Sequence, residues 1–261
     1  MSALVIAALL LLAWAPAAAA QTRGGVFRPK NSESMPLPQL GSALYDANCA
    51  SCHGGDGRGI TSTNRPPGSG DVKGLGPSLR GVGALAVDFY LRTGYMPLDD
   101  PHSEPERRRV QFSDREIRAV IRHVDSFEPG PPVPRPSPES GNLAEGLKLF
   151  TEHCAGCHQV VAQGGVVTGA RVPPLEDATA TQIAQAVRIG PYLMPKFSEK
   201  DISDSELDSI VAYVLKSKHP DDRGGWGIGS VGPIPEGIVT WFLAATAFLG
   251  LVAVIGKRAG S

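Results

Sequence analysis

The 261-residue chain carries 25 basic and 26 acidic residues, so its net charge near zero gives no bulk attraction to nucleic acid. A chain of this length has room for two small domains with tails. Aromatic residues make up only 6% of the chain, whereas glycine (31) and proline (23) are abundant. This composition favours loops wrapped around a bound group over long regular elements, because small domains with few aromatic residues bury little surface by themselves.

The chain begins with an apolar stretch that runs from Ala3 to Ala20 and ends in three alanines. This pattern predicts a secretory signal peptide over residues 1–20, with a small-residue cleavage site. No lysine or arginine precedes the apolar run, and it is also just long enough to span a bilayer, so an uncleaved N-terminal anchor stays open. Both alternatives place the following domain outside the cytoplasm.

A pentapeptide of the form C-x-x-C-H occurs twice, and the two copies use all four cysteines of the chain. This is the attachment signature of c-type haem, in which two thiols on one helical turn form thioethers to one porphyrin and the histidine binds the iron. We therefore predict two covalently bound haem c groups. The residues of the two motifs that would hold them are Cys49, Cys52 and His53, and Cys154, Cys157 and His158.

Two other uses of C-x-x-C pairs fit the sequence less well. A single zinc ion held by both pairs would leave the two following histidines without a role. Thioredoxin-like redox pairs would need a βαβ pattern around them, and the sequence shows none.

The surroundings of the two motifs also repeat. A shift of 105 residues aligns Gly41 with Gly146 and Tyr45 with Phe150, which predicts a helix before each motif. We expect the two glycines to allow a close crossing with a later helix. We expect the aromatic residue of each pair to pack beneath the porphyrin.

Each half of the chain also ends in a similar helix. Residues 113–116 and 203–206 have the S-x-x-E pattern of a capping box, and apolar residues follow each at helical spacing. The sequence therefore predicts a mainly α fold with two tandem domains, over residues 41–128 and 140–219.

A proline-rich segment separates the two predicted domains. Six prolines lie between Glu128 and Pro138, a density that favours an extended and stiff backbone. We interpret residues 129–139 as a linker that keeps the two domains at a bounded separation without merging their cores.

Two methionines are candidates for the sixth ligand of each iron. Met96 and Met194 each lie between a C-x-x-C-H motif and a capped helix, and each precedes a proline that restrains the loop. Histidine–methionine ligation raises the reduction potential and closes the iron to oxygen, which favours electron transfer and implies no catalytic residue. The competing histidines have no counterpart in the other half; they are His102, His123, His153 and His219.

Near the C-terminus, residues 238–255 form an uncharged run long enough to span a bilayer. Trp241 lies near its outer end, Glu236 precedes it, and Lys257 and Arg258 follow it. Positive residues flank membrane spans on the cytoplasmic side, so the sequence predicts a single C-terminal span with the haem domains on the extracytoplasmic side of the cell membrane. A buried core helix is the alternative, but no amphipathic partner helix lies nearby.

Together these features resemble tandem class I cytochrome c domains. The glycine-rich segment 223–237, the Gly-Val-Gly at 81–83 and the haem motifs make the chain similar to a more specific family. That family is the dihaem cytochrome cc subunit of actinobacterial-type cytochrome bcc complexes, the menaquinol–cytochrome c reductases. The resemblance covers the chain from about Gly41 to Ala259.

The resemblance implies a place in a respiratory complex. A cytochrome b subunit would oxidise quinol, and a Rieske iron–sulfur protein would pass electrons to residues 41–128. Residues 140–219 would deliver them to a terminal cytochrome c oxidase. The glycine-rich segment 223–237 would pack along partner subunits rather than form a helix, and the carbonyls of Pro77 and Pro173 would accept hydrogen bonds from the two haem histidines.

Two other functions compete with this interpretation. An anchored dihaem cytochrome that serves another periplasmic redox enzyme would have the same chemistry at both irons, so the sequence leaves it open. A dihaem peroxidase would need an open iron with catalytic polar residues above it, a pairing that the sequence does not show.

Overall fold

The computed structural model describes residues 25–60, 76–98, 105–167, 169–219 and 233–259. The predicted signal peptide (residues 1–20) and most of the glycine-rich segment (residues 223–232) lie outside the described residues. The chain divides into two compact units, Met1–Lys218 and His219–Ser261, and each is described by itself.

The first half of the larger unit is helical. Its helices are α1 (Leu37–Asn48), α2 (Ala50–His53), α3 (Gly83–Arg92) and α4 (Asp114–Asp125). Helix α1 has Pro38 in its first turn, where a missing backbone N–H costs no intrahelical hydrogen bond.

The second half repeats this order and adds a hairpin. Its elements are α5 (Leu143–His153), α6 (Ala155–His158), β1 (Gly165–Val167), β2 (Ala170–Val172), α7 (Ala180–Ile189) and α8 (Asp204–Ser217). The strands β1 and β2 pair antiparallel, with Gly165 opposite Val172. The sequence carries no clear signal for this hairpin, because its strands have only three residues each.

The two glycines predicted to allow close helix crossings do so. A Cβ atom at Gly41 in α1 would overlap the carbonyl oxygen of Ala119 in α4. A Cβ atom at Gly146 in α5 would overlap the carbonyl oxygen of Ser209 in α8 in the same way. Only glycine lets the backbones of these helices approach so closely, and this confirms the prediction made from the repeat.

Each half has its own hydrophobic core between its first and last helices. The fully buried residues of the first core include Leu40, Leu44, Tyr45 and Ile117. Those of the second core include Phe150, Ile210, Val211 and Val214. The aromatic pair that the repeat aligned, Tyr45 and Phe150, therefore occupies the same place in both halves.

Both predicted capping boxes are present. The hydroxyl of Ser203 accepts a hydrogen bond from the Glu206 backbone N–H (3.4 Å), and the Ser203 backbone N–H donates to the Glu206 carboxylate (2.8 Å). Ser113 and Glu116 form the same reciprocal pair at the start of α4, with the backbone N–H of Ser113 2.7 Å from the carboxylate.

We expect Ser203→Ala to lower the free energy of unfolding by about 1 kcal/mol, because it removes the side-chain acceptor at the start of α8. Urea or thermal unfolding, followed by circular dichroism, measures the change. Glu206→Gln is the control, since glutamine retains the reciprocal bond of a capping box. Equal losses in both variants would contradict a specific role for the Ser203 hydroxyl.

The proline-rich linker is bonded to both halves. The carbonyl of Pro131 accepts a hydrogen bond from the Leu85 N–H in α3 (3.0 Å), and the Ser137 N–H donates to the Asp208 carboxylate in α8 (2.7 Å). Apart from a 3-10 turn at Pro138–Ser140, the linker has no helix or strand. The two cores remain separate, but the two halves also touch directly through α3 and α7, a contact that the sequence analysis did not predict.

The smaller unit contains helix α9 (Pro233–Ala259). Its segment Gly237–Arg258 is long and apolar enough to cross a membrane and includes the predicted span 238–255. Residues 233–237 are helical, so the prediction that the glycine-rich segment avoids helix is wrong for its last five residues. Prolines are tolerated in the first turn of a helix, because the backbone N–H groups there have no intrahelical partner.

Candidate haem-binding sites

Each C-x-x-C-H motif forms a single helical turn directly after the first helix of its half. In the first motif, the N–H groups of Cys52 and His53 donate to the Cys49 carbonyl, at 3.1 and 2.9 Å. In the second, the carbonyl of Cys154 accepts the two equivalent bonds at the same distances. Both cysteines and the histidine of a motif therefore share one turn, the arrangement that attachment to one porphyrin requires.

None of the four cysteines forms a disulfide. Burial, with a smaller contribution from Cys52, raises the pKa of Cys49 to about 12. Burial and the neighbouring Cys157 raise the pKa of Cys154 to about 11. Dithiol redox motifs have a lowered thiol pKa, so these environments do not match a thioredoxin-like pair. Cys49 and Cys154 pack against different cores, which leaves each pair with its own histidine rather than a shared metal ion.

The histidine of the first motif is held by a backbone carbonyl. Nδ1 of His53 lies 2.8 Å from the carbonyl oxygen of Pro77, as the resemblance implied. This hydrogen bond places the proton on Nδ1 and leaves Nε2 available to a metal. Burial lowers the pKa of His53, against the opposing effect of the Pro77 carbonyl, and so favours the neutral imidazole that binds metal.

Gly76 makes the approach of this carbonyl possible. A Cβ atom at Gly76 would lie 2.7 Å from the Cys52 carbonyl oxygen and 3.0 Å from Cε1 of His53. Any other residue would push the segment away from the histidine ring. This role of Gly76 was not predicted, although its place directly before Pro77 is a signal that could have identified it.

The histidine of the second motif differs in one respect. Burial lowers the pKa of His158 and the Pro173 carbonyl opposes this effect, so Pro173 faces the ring as expected. However, Nδ1 of His158 is buried, and within the described residues it has no hydrogen bond of normal geometry. The hydrogen bond predicted for Pro173 is therefore not formed as it is at Pro77.

Each candidate methionine lies in a loop that begins at a glycine with positive φ. Gly94 (φ +71°) directly follows Thr93, the C-cap of α3, and lies two residues before Met96, whereas Gly190 (φ +65°) is itself the C-cap of α7, four residues before Met194. A Cβ atom at Gly94 would overlap the Arg108 carbonyl oxygen, so the loop turns where only glycine fits.

Backbone hydrogen bonds hold both loops in place. The N–H of Met96 donates to the Tyr90 carbonyl (3.1 Å), and the N–H of Met194 donates to the Pro191 carbonyl (3.0 Å).

Each methionine is half-buried on the core of its own half. Met96 and Cys49 pack against the first core, and Met194 and Cys154 pack against the second. The structure thus brings the first cysteine of each motif and the methionine of the same half to one core, and the histidine shares the helical turn of that cysteine. That the two methionines bind iron remains a prediction.

Two of the competing histidines pack against aromatic rings. The ring of His123 lies 5.0 Å from Tyr45 and 4.9 Å from Phe127, between centroids, which agrees with the structural role predicted for it. The His153 ring lies 5.9 Å from Phe197. His102 lies outside the described residues.

Exposed apolar side chains lie next to the candidate donor residues of the second half in the chain. Val160 and Val161 follow the motif and Leu193 precedes the candidate methionine, yet these side chains are 48%, 52% and 54% exposed. Apolar side chains grouped around a donor set mark a ligand-binding surface. Thiols, an imidazole and a thioether are the donors that haem c takes.

Comparisons with known proteins agree with this geometry. Residues 38–128 match the family described as "Cytochrome c", and residues 141–214 match "Cytochrome C oxidase, cbb3-type, subunit III". The two matches cover the two halves of the larger unit, so both halves are cytochrome c-type domains. We call them domain 1 and domain 2. Domains of this type bind haem c covalently.

The chain is also similar to characterised relatives over most of its length. It is 30% identical to the "Cytochrome bc1 complex cytochrome c subunit" of Corynebacterium diphtheriae, over 87% of this chain and 83% of the relative. Identity to the protein of the same name from Mycobacterium tuberculosis is 33%, over 87% and 80%. A "Cbb3-type cytochrome c oxidase subunit CcoP" from an Azospirillum strain is 26% identical over 67% and 60%. These similarities confirm the resemblance seen in the sequence, and the chain belongs to the family of cytochrome c subunits of cytochrome bc1 complexes.

Proposed function

We propose that the protein is the membrane-anchored, dihaem electron-transfer subunit of a quinol–cytochrome c reductase complex of the bcc type. The observation that carries this proposal is the duplication of the C-x-x-C-H turn and the methionine loop, with the first cysteine and the methionine of each domain packed against one core. Haem c, when bound, supplies one-electron exchange between ferric and ferrous iron.

The proposed roles of the side chains follow from their chemistry. The cysteines of each motif would hold a haem c covalently, and the histidine and methionine would bind its iron. An iron held by these two side chains would be closed to oxygen and peroxide and would serve electron transfer alone. The proposed iron ligands are His53 and Met96 in domain 1, and His158 and Met194 in domain 2.

Similarities to known proteins support a place in an electron-transfer complex. The relatives named as cytochrome c subunits of cytochrome bc1 complexes support a place in such a complex. We propose domain 1 as the acceptor from a Rieske iron–sulfur protein, next to a cytochrome b subunit that oxidises quinol. The match of domain 2 to a subunit of a cytochrome oxidase supports its place at the terminal oxidase.

The C-terminal helix supports the proposed location. Lys257 and Arg258 lie in the last turn of α9, which favours a cytoplasmic C-terminus and haem domains on the opposite side of the cell membrane. Export by the apolar leader over residues 1–20 is consistent with this orientation.

Purification of the full chain from membranes in mild detergent tests the proposal. We expect a Rieske protein, a cytochrome b and an oxidase to co-purify, identified by mass spectrometry. A different periplasmic redox enzyme in place of the cytochrome b would contradict the proposal and favour the competing function of an anchored carrier.

Replacing Met194 with histidine should lower the reduction potential of the second haem markedly, because histidine–methionine ligation gives a higher potential than two histidines. A redox titration of the haem absorbance measures both potentials. Leu193→His is the control, since Leu193 is adjacent but 54% exposed. If Met194→His leaves the titration of the second haem unchanged, Met194 is not its ligand.

Removal of residues 233–261 should release the protein from the membrane, because α9 is the described helix that is long and apolar enough to span it. Fractionation of cells into soluble and membrane pools measures the change. A truncated protein that still binds pure lipid vesicles would show that another segment is the main anchor.

A further inference from the structure

The two cytochrome domains meet through equivalent helices. Helix α3 of domain 1 and helix α7 of domain 2 are the third helix of each repeat, and they contact each other directly. Each of these helices runs into a candidate methionine loop, through Gly94 or Gly190. The contact between the domains therefore lies on the helices that carry the proposed methionine ligands.

A buried glutamine is at the centre of this contact. Gln185 in α7 has no exposed surface, and its Nε2 donates to the Leu85 carbonyl (3.2 Å) and the Asp88 carboxylate (3.0 Å) in α3. Asp88 is only 6% exposed, and its other oxygen accepts a hydrogen bond from Nε of Arg92 (2.7 Å). Gln185 thus bonds across the domain contact to a carboxylate that is itself held by an ion pair.

Further hydrogen bonds cross the contact on one side of Gln185. Nε2 of Gln182 donates to the Arg92 carbonyl (3.4 Å), and Arg107 of domain 1 donates to the Gln182 side chain (3.2 Å). The next residue, Arg108, donates its N–H to the Thr93 carbonyl (3.2 Å), beside the start of the Met96 loop. The segment that supports the first methionine loop therefore also bonds to domain 2.

Stability alone does not explain a glutamine at position 185. Its Oε1 is buried and has no partner within the described residues, which costs free energy that an apolar side chain would not. Its neighbours on α7, Ile183 and Val187, are buried and apolar. Directional hydrogen bonds differ from apolar contact because they select one orientation of the two helices, as buried polar groups do in some coiled coils.

We propose that Gln185 and Asp88 are positioning residues that dock domains 1 and 2 in one orientation. Through this docking they set the separation between the two haem groups and hence the rate of electron transfer from one to the other. The link to electron transfer rests on the proposed function, whereas the docking itself does not. Electron transfer between redox centres slows steeply with distance, so undocking would slow it.

Gln185→Glu tests the proposal, because it places a second carboxylate against Asp88. Like charges that face each other across an interface oppose association strongly, and we expect the docking equilibrium constant to fall about a hundredfold. In the double variant Asp88→Asn with Gln185→Glu, the amide and the carboxylate exchange places. We expect this swap to restore docking, as a coupled pair should in a double-mutant cycle.

Two readouts on the full chain in detergent separate docking from haem function. The first is the distance between spin labels on exposed residues of the two domains, Arg122 and Lys148, introduced as noncanonical amino acids so that the cysteines stay available. The second is the rate of electron equilibration between the haems after rapid reduction. Gln185→Glu should give a longer and broader distance distribution and a slower rate, with both haem potentials unchanged.

Ser209→Ala is the matched control, because Ser209 is a buried polar residue of domain 2 whose hydroxyl bonds to Glu145 within that domain (2.9 Å). It should lower stability and leave the distance and the rate unchanged. A Gln185→Glu variant with the parental distance and rate would overturn the proposal, and so would a swap variant that fails to recover. Absence of haem from the parent protein would contradict the proposed function instead, and the spin-label distance would still decide whether the pair docks the domains.

Discussion

Replacing both Cys154 and Cys157 with alanine should halve the covalently bound haem of the purified protein. The two thiols share the α6 turn, and no other cysteine exists in domain 2 to form a thioether. Histidine and methionine alone would leave any bound porphyrin free to dissociate. The pyridine haemochrome spectrum, divided by protein concentration, measures the covalent haem per chain after maturation in a host that attaches haem c.

The equivalent variant of domain 1, Cys49→Ala with Cys52→Ala, serves as the control and should also retain one haem. All four substitutions together should give a colourless protein. A full haem complement in either double variant would contradict covalent attachment at both motifs. A metal analysis that finds zinc in place of iron in the parent protein would favour the alternative use of the cysteine pairs.

Gly146→Ala should lower the free energy of unfolding of domain 2 more than the substitution of an exposed residue does. The added Cβ would overlap the Ser209 carbonyl oxygen at the crossing of α5 and α8, and a backbone atom in a buried helix cannot move aside as a side chain can. Overpacking of this kind costs about 1–3 kcal/mol or more in free energy of unfolding. Urea unfolding, followed by the circular dichroism of the full chain, measures the loss.

Gly156→Ala provides the matched control within the same domain. Gly156 lies in the helical turn of the motif, and a Cβ atom there would have no neighbour within 4 Å. We expect its effect on the free energy of unfolding to stay within about 0.5 kcal/mol, as for most surface substitutions. If the two alanine variants lose the same stability, the close crossing at Gly146 does not carry the packing inferred for it.

The elements that the sequence predicted well are those whose signals are local. The serine and glutamate of each capping box lie three residues apart in the chain. The alignment of Gly41 with Gly146 predicted the two close helix crossings. The domain contact through Gln185 and Asp88 joins residues 97 positions apart in the chain. No periodicity or spacing encodes such a pair.

In the candidate sites, too, the residues with a local sequence signal were predicted and the geometry between distant residues was not. The motif identified the cysteines and histidines, and the aligned methionines identified the loops. The bond from His53 to Pro77 followed from resemblance, but no difference in the sequence indicates that His158 lacks the equivalent bond to Pro173. The early start of α9 at Pro233 was missed, since proline discourages helix everywhere except in the first turn.

The proline-rich linker is short, and it is bonded to α3 at one end and to α8 at the other. It therefore lowers the free-energy cost of bringing the two domains into contact. Two free proteins that met through a few hydrogen bonds would separate at cellular concentrations, because association costs translational and rotational freedom. A short tether removes most of that cost and gives each domain a high local concentration of the other, on the order of millimolar for short tethers. A polar contact that would be transient between separate carriers can therefore persist here, and it remains weak enough for single side-chain changes to disrupt.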